Sequence, residues 1–134
     1  MNIALLAHDR KKELMVQFCI AYCGILSKHS ICATSATGRL VAEATGLPVS
    51  LYLSRKQGGY QQIGARIAYN EIDLVLFFCD ANTEEQNEVF EIARLCDQYN
   101  IPFASNLATA EVLIQGLRRG DMDWRDIVNP KQKN

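Results

Sequence analysis

The sequence predicts an α/β domain built on a parallel sheet flanked by helices, and three observations carry that prediction. Short apolar runs rich in Ile, Val, Leu and Phe alternate with longer stretches of helical period, the pattern left by βαβ units. Helix punctuation falls between them in the right order, as where a periodic stretch stops at Gly46, Pro48 follows and a new apolar run begins. Polar residues gather immediately after each apolar run, where open parallel sheets place their ligand loops.

Each element follows from local pattern. Strands are expected at 3–7, 30–34, 49–53, 72–78 and 101–104. Between the first two, Leu14, Met15, Phe18, Cys19, Tyr22, Ile25 and Leu26 recur at i, i+3 and i+4, one apolar helix face with Asp9 as its N-cap. Thr37 is expected to cap the short helix that ends at Gly46. Further helices are expected at 59–69, 84–98 and 106–117. Beyond Gly120 the sequence turns polar, with Trp124, Ile127 and Val128 available to pack a last small element. There is no internal repeat, low-complexity tract or linker, so residues 1–134 read as a single domain.

Composition narrows the function. Lys and Arg number 14 against 15 Asp and Glu, which leaves no long-range field for nucleic acid or an anionic membrane surface. Trp124 and the other aromatics scatter without a base-stacking pattern, and His29 reads as a solvated residue. The five cysteines, Cys19, Cys23, Cys32, Cys79 and Cys96, lie in apolar segments without a C-x-x-C pair and read as reduced core thiols. Cys19 and Cys23 are one helical turn apart but lack a second pair, so no metal site is implied. The first residues hold only a brief apolar run, too short for a signal segment or a membrane span, and a cytoplasmic setting is expected.

The loops point to a local anion site. After the second strand comes Thr34-Ser35-Ala36-Thr37-Gly38, hydroxyls and amides at a helix start, where unpaired N–H groups and the helix dipole favour negative charge. After the third comes Ser54-Arg55-Lys56-Gln57-Gly58-Gly59, paired glycines that let backbone amides approach a phosphate, with two cations beside them. Neither is a Walker loop or a G-x-G-x-x-G fingerprint, so no nucleotide and no cofactor is specified. His8 and Asp9 follow the first strand, with Lys12 one turn on; they fit acid–base chemistry or simple capping. Asp80 follows the apolar run 74–78 and fits a functional carboxylate or a turn residue equally. Ser105 and Asn106 complete a rim drawn from five loops.

The segments AHD (7–9), TSATG (34–38), the stretch from Ser54 through GGYQQIGA (58–65), FFCD (77–80) and IPFASNLATA (101–110) resemble the methylglyoxal synthase family, in order and at similar spacing along nearly the whole chain. The resemblance implies a three-layer flavodoxin-like sandwich with a central five-stranded, mainly parallel sheet, a homohexamer, and a lyase that converts dihydroxyacetone phosphate to methylglyoxal and phosphate without a cofactor. The same fold serves as the nucleotide-binding allosteric domain of carbamoyl phosphate synthetase. By position, the family's phosphate contacts fall on Lys12, Thr34, Thr37, Gly38, Ser54 and Gly59, beside Gly58, and its triose-end residues on His8, Asp9 and Asp80.

One departure stands out. The family's base is the Asp of G-G-D-Q-Q, and this chain reads Gly58-Gly59-Tyr60-Gln61-Gln62. A carboxylate with a pKa of about 4 is ionised at neutral pH, whereas a phenol with a pKa of about 10 stays protonated and is a poor base. Ser35 and Ala36 stand for the family's Gly and Thr, Arg55 for a Gly, the loop after Asp80 lacks the family's His, and Glu88 lies near an expected Asp. The sequence ends at Asn134, before an Arg that the family places near its site. The expectation is therefore a protein that binds a small phosphorylated metabolite or phosphate with lost or altered elimination chemistry, as a metabolite-binding or regulatory protein. The alternative is an active synthase with Asp9 or Asp80 as base.

Overall fold

The computed structural model describes residues 1–83 and 86–128. Its strands are β1 (Asn2–Ala7), β2 (Ser30–Thr34), β3 (Val49–Tyr52), β4 (Leu74–Phe78) and β5 (Phe103–Ala104). Its helices are α1 (Lys12–Ala21), α2 (Cys23–Leu26), α3 (Ser35–Thr45), α4 (Gly59–Ala68), α5 (Asn87–Gln98), α6 (Leu107–Arg119) and α7 (Trp124–Val128). The sheet runs β3-β2-β1-β4-β5 and every pairing is parallel, so the flavodoxin-like α/β sandwich expected from the sequence is present with a fully parallel sheet.

Alternation along the central strands builds the three layers. Ile3, Leu5 and Ala7 of β1 and Leu74, Leu76 and Phe78 of β4 face α1, α3 and α6, meeting Met15, Phe18, Val41 and Ile114. Ala4, Leu6, Val75 and Phe77 face the other way, onto Ile63 and Ile67 of α4 and Val89 and Ile92 of α5. Both faces of β1 and β4 are therefore covered, which is why these strands read as unbroken apolar runs. Full burial of each of the Ile, Leu, Val and Phe side chains contributes about 1.5–3 kcal/mol.

Several boundaries differ from the sequence expectation, each for a local reason. β5 is only two residues long because Pro102 has no N–H to give, although its carbonyl still accepts from Val75 at 3.0 Å. β4 starts at Leu74 rather than 72, and just before it the Asp73 carboxylate accepts from the Asn2 backbone N–H at 2.8 Å and from Arg125. β1 gains Asn2, and β3 stops at Tyr52. Asp9 is not an N-cap: it opens a 3-10 turn, Asp9–Lys11, whose N-cap is His8. The first helix pauses at Tyr22, whose hydroxyl donates to Glu111 on α6. Thr37 is not a cap either: α3 begins at Ser35 with Thr34 as N-cap, leaving Thr37 buried within the first turn. The helix expected from 84 begins at Asn87, residues 84 and 85 lying outside the described ones, and α6 runs on to Arg119.

The last element forms, but not through the side chains expected to seat it. Trp124, Ile127 and Val128 stay exposed, whereas Arg125 of α7 is buried. His29, expected to be solvated, is half-buried and accepts the Met1 ammonium on Nδ1 at 3.0 Å. Cys19, Cys32 and Cys96 lie in the core and all five thiols are free, with burial pushing Cys19 and Cys96 up to about 12. Among the described residues no helix is long and apolar enough to cross a membrane.

Candidate functional site

Strand order reverses at β1, whose neighbours β2 and β4 lead to opposite edges, and a crevice opens beyond the carboxyl ends at such a point. A cleft of about 420 Å³ lies there. Four loops line it: His8, Asp9, Arg10 and Lys12 after β1, Thr34 and Ala36 after β2, Ser54, Arg55, Lys56 and Tyr60 after β3, and Asp80 and Thr83 after β4. The loop after β5 is not part of the lining. Asn106 caps α6 by accepting from the Thr109 N–H at 2.9 Å, and the Ser105 carbonyl accepts from Cys79 at 3.1 Å.

The β2 side presents a helix start to the cleft. The Thr34 side chain bonds none of the amides that open α3, so the first turn meets the cleft uncapped. Within that first turn, the Thr37 hydroxyl is buried and has no hydrogen-bond partner among the described residues. Gly38 packs against β3, where a Cβ would collide with Leu51. On the β3 side Gly58 adopts a left-handed φ of 96°, and a Cβ on Gly59 would strike the Leu53 carbonyl oxygen. Only glycine permits both, and together they turn the chain sharply from Ser54 into α4.

The β1 and β4 side carries the titratable groups. The Asp9 carboxylate is exposed and paired with Lys12, which holds its carboxyl below the ordinary range. Asp80 is nearly buried; its Oδ1 accepts the Asn82 N–H at 3.0 Å, and Arg10 lies 4.0 Å from its Oδ2. His8 is 8% exposed, and its Nδ1 accepts the Asp80 N–H at 2.8 Å.

Tyr60 sits where the two sides meet. It is 5% exposed, with its ring 5.2 Å from that of Phe77 and the Arg55 guanidinium 5.9 Å from its own centroid. Arg55 in turn donates from Nε and Nη2 to Glu88 of α5 at 3.0 and 2.8 Å. Burial pushes the Tyr60 phenol up to about 12 despite the opposing Arg55 charge. At neutral pH the side chain at this position is therefore a protonated phenol wedged between an aromatic ring and a guanidinium. The Arg55–Glu88 clasp was invisible locally: its partners are 33 residues apart and meet only because α5 packs on α4.

The comparisons agree with this architecture. The MGS-like domain family matches residues 15–105. Over its whole length the chain is 61% identical to a methylglyoxal synthase of Caldicellulosiruptor saccharolyticus, of which it covers 97%. It is 54% identical to one of Lysinibacillus sphaericus, with 93% of this chain and 95% of that protein covered. Among solved structures, the crystal structure of methylglyoxal synthase from Elizabethkingia anophelis NUHP1 superimposes with a TM-score of 0.79 at 40% identity, over 84% of this chain and 76% of that one.

Proposed function

Because the chain belongs to the MGS-like domain family, we propose that its cleft binds a small phosphorylated metabolite, dihydroxyacetone phosphate or inorganic phosphate, without carrying out efficient elimination. Lys12, the uncapped start of α3, Thr34, the orphan Thr37 hydroxyl, Ser54 and the Gly58-Gly59 turn hold the phosphate. His8, Asp9 and Asp80 face the rest of the ligand. The reading makes the protein a metabolite-binding or regulatory member of its family.

One observation carries the loss of chemistry, namely Tyr60 in its seat against Phe77. Proton abstraction next to a carbonyl needs an ionised base at the reacting carbon. A phenol with a pKa of about 12 supplies no such base, and its ring occupies room that a carboxylate would leave open. The remaining carboxylates are engaged, Asp9 by Lys12 and Asp80 by the Asn82 amide.

A second reading is favoured by the 61% identity to a methylglyoxal synthase across the full chain: an active lyase using Asp9 or Asp80. One assay separates the two. Purified protein with dihydroxyacetone phosphate is expected to yield no methylglyoxal above the spontaneous rate, while Tyr60→Asp restores production. Robust production by the unaltered chain selects the lyase, and Asp9→Asn and Asp80→Asn then identify the base. Phosphate binding is read separately as a rise in Tm; a ligand at a hundred times its Kd stabilises by about 2.7 kcal/mol.

The same reading includes a homo-oligomer, hexameric by the family resemblance, in a reducing cytoplasmic setting that suits five free thiols. Its support is the open β3 edge of the sheet, where Leu51 and Leu53 are exposed, as is Leu40 of α3. Light scattering on the eluting protein gives the assembly mass directly, and a monomer overturns this part.

A further inference from the structure

A second cavity, of about 780 Å³, lies between α4 and α5, within the roughly 300–1,000 Å³ typical of small-molecule sites. Gly64 and Ala65 of α4 line it opposite Ile92 and Leu95 of α5. Gly64 keeps the helices close, since an added Cβ would lie 3.1 Å from Leu95 Cδ1. Glu88 and Glu91, one turn apart on α5, also line it, and no Lys or Arg does among the described residues. Three features here are left over from packing. Both Arg55 donors reach Glu88 Oε1, at 3.0 and 2.8 Å, so Oε2 makes no hydrogen bond among the described residues. Tyr60 is 5% exposed and lines this cavity as well as the cleft, yet its hydroxyl has no hydrogen-bond partner among the described residues. Phe90, which also lines the cavity, is 64% exposed.

We infer that the α4–α5 cavity is a second ligand site, for an organic cation with an apolar body. The body rests on Ala65, Ile92 and Leu95 and against Phe90, whose ring face attracts a cation as well as apolar surface. The cationic group meets Glu88 Oε2 and Glu91, and the Tyr60 phenol oxygen accepts a further N–H. A neutral body of the same shape gains only the apolar contribution, and an anion is repelled by both carboxylates. Tyr60 alone is common to the linings of the two cavities, so this site stands whether or not the cleft binds phosphate. Glu88 links them, its Oε1 holding Arg55 of the cleft while its Oε2 serves the cation.

Calorimetry with three probes that share an indole ring tests the site. Tryptamine, a cation, is expected to bind about tenfold more tightly than indole-3-acetate, an anion, with neutral 3-methylindole between them. Equal affinities for the three, or no heat at millimolar tryptamine, overturn the site. Backbone amide resonances are expected to move in α4 and α5 as tryptamine is added. Shifts confined to the loops after β1, β2 and β4 put the probe in the cleft and also overturn it. Two substitutions at exposed positions leave the core untouched. Ala65→Trp fills the cavity and is expected to abolish tryptamine binding, and Glu91→Lys is expected to weaken it about tenfold. Affinity retained in either variant overturns the site. If tryptamine does not bind and Ala65→Trp lowers the assembly mass by light scattering, the occupant is a second copy of the chain and not a cation.

Discussion

Arg125 and Thr37 are equally deep, each 1% exposed, yet the protein treats them in opposite ways. The Arg125 guanidinium spends its donors on Asp73 at 3.3 Å, the Asn100 carbonyl at 2.6 Å and Asn70 Oδ1 at 3.4 Å. Asn70 and Asn100 are the two non-glycine residues with positive φ among those described, the left-handed turns that follow α4 and α5. One side chain from α7 thus staples both turns to the foot of β4. At the opposite end of the sheet the Thr37 hydroxyl has no partner among the described residues. A buried polar group is ordinarily satisfied by the chain itself, and among the described residues the Thr37 hydroxyl, beside an uncapped helix start, departs from that rule.

The largest expected effect tests the satisfied end. Arg125→Ala leaves Asp73 buried without its cation and is expected to cost about 3–5 kcal/mol in urea unfolding. A loss under about 1 kcal/mol would dissolve the contrast with Thr37. The next concerns alkaline stability. Burial raises the Tyr60 phenol, and also that of Tyr52, to about 12, above the unfolded value of about 10. Both folded phenols hold their protons while the unfolded ones ionise, so this stability is complete below pH of about 10 and is lost as pH rises toward 12. Phenolate absorbance is expected to show Tyr52 and Tyr60 titrating late, with Tyr60→Phe removing one late step.

Smaller effects sharpen the unsatisfied end. Thr37→Val removes a hydroxyl that bonds nothing among the described residues, so unliganded stability is expected to hold or to rise by about 0.5–1 kcal/mol. The same change should weaken inorganic phosphate binding about fivefold by calorimetry. If it instead destabilises the unliganded protein, the hydroxyl is structural and the comparison breaks. Glu88→Gln opens the Arg55 clasp, an ion pair whose side chains remain 38% and 28% exposed, and is expected to change stability by less than about 1 kcal/mol. Set beside Arg125→Ala, it measures how much burial adds to an ion pair in this one chain.

Legibility followed the range of the interactions. The apolar runs at β1, β2 and β4 were readable because a strand covered on both faces leaves a continuous signature. The start of α3 was not, since Thr34, Ser35 and Thr37 are all good capping residues and the point where β2 leaves the sheet chose among them. The burial of Arg125 was equally hidden, because its partners Asn70, Asp73 and Asn100 come from two separate connections, one before β4 and one before β5. In the site, the residue types after each strand were legible one loop at a time; which of them share a cleft was not, and the β5 loop stayed outside it.

By itself, then, the sequence determined the α/β class, the family, the hydroxyl and glycine loops and the Tyr at position 60, all of them written in residue type and short-range period. The tertiary structure decided that Tyr60 is wedged between Phe77 and Arg55, that the Thr37 hydroxyl is buried without a partner among the described residues and that His8 Nδ1 accepts the Asp80 amide. Each of these depends on parts of the chain meeting across the sheet, and a proton's position or a phenol's ionisation is set by the neighbours that such meetings supply.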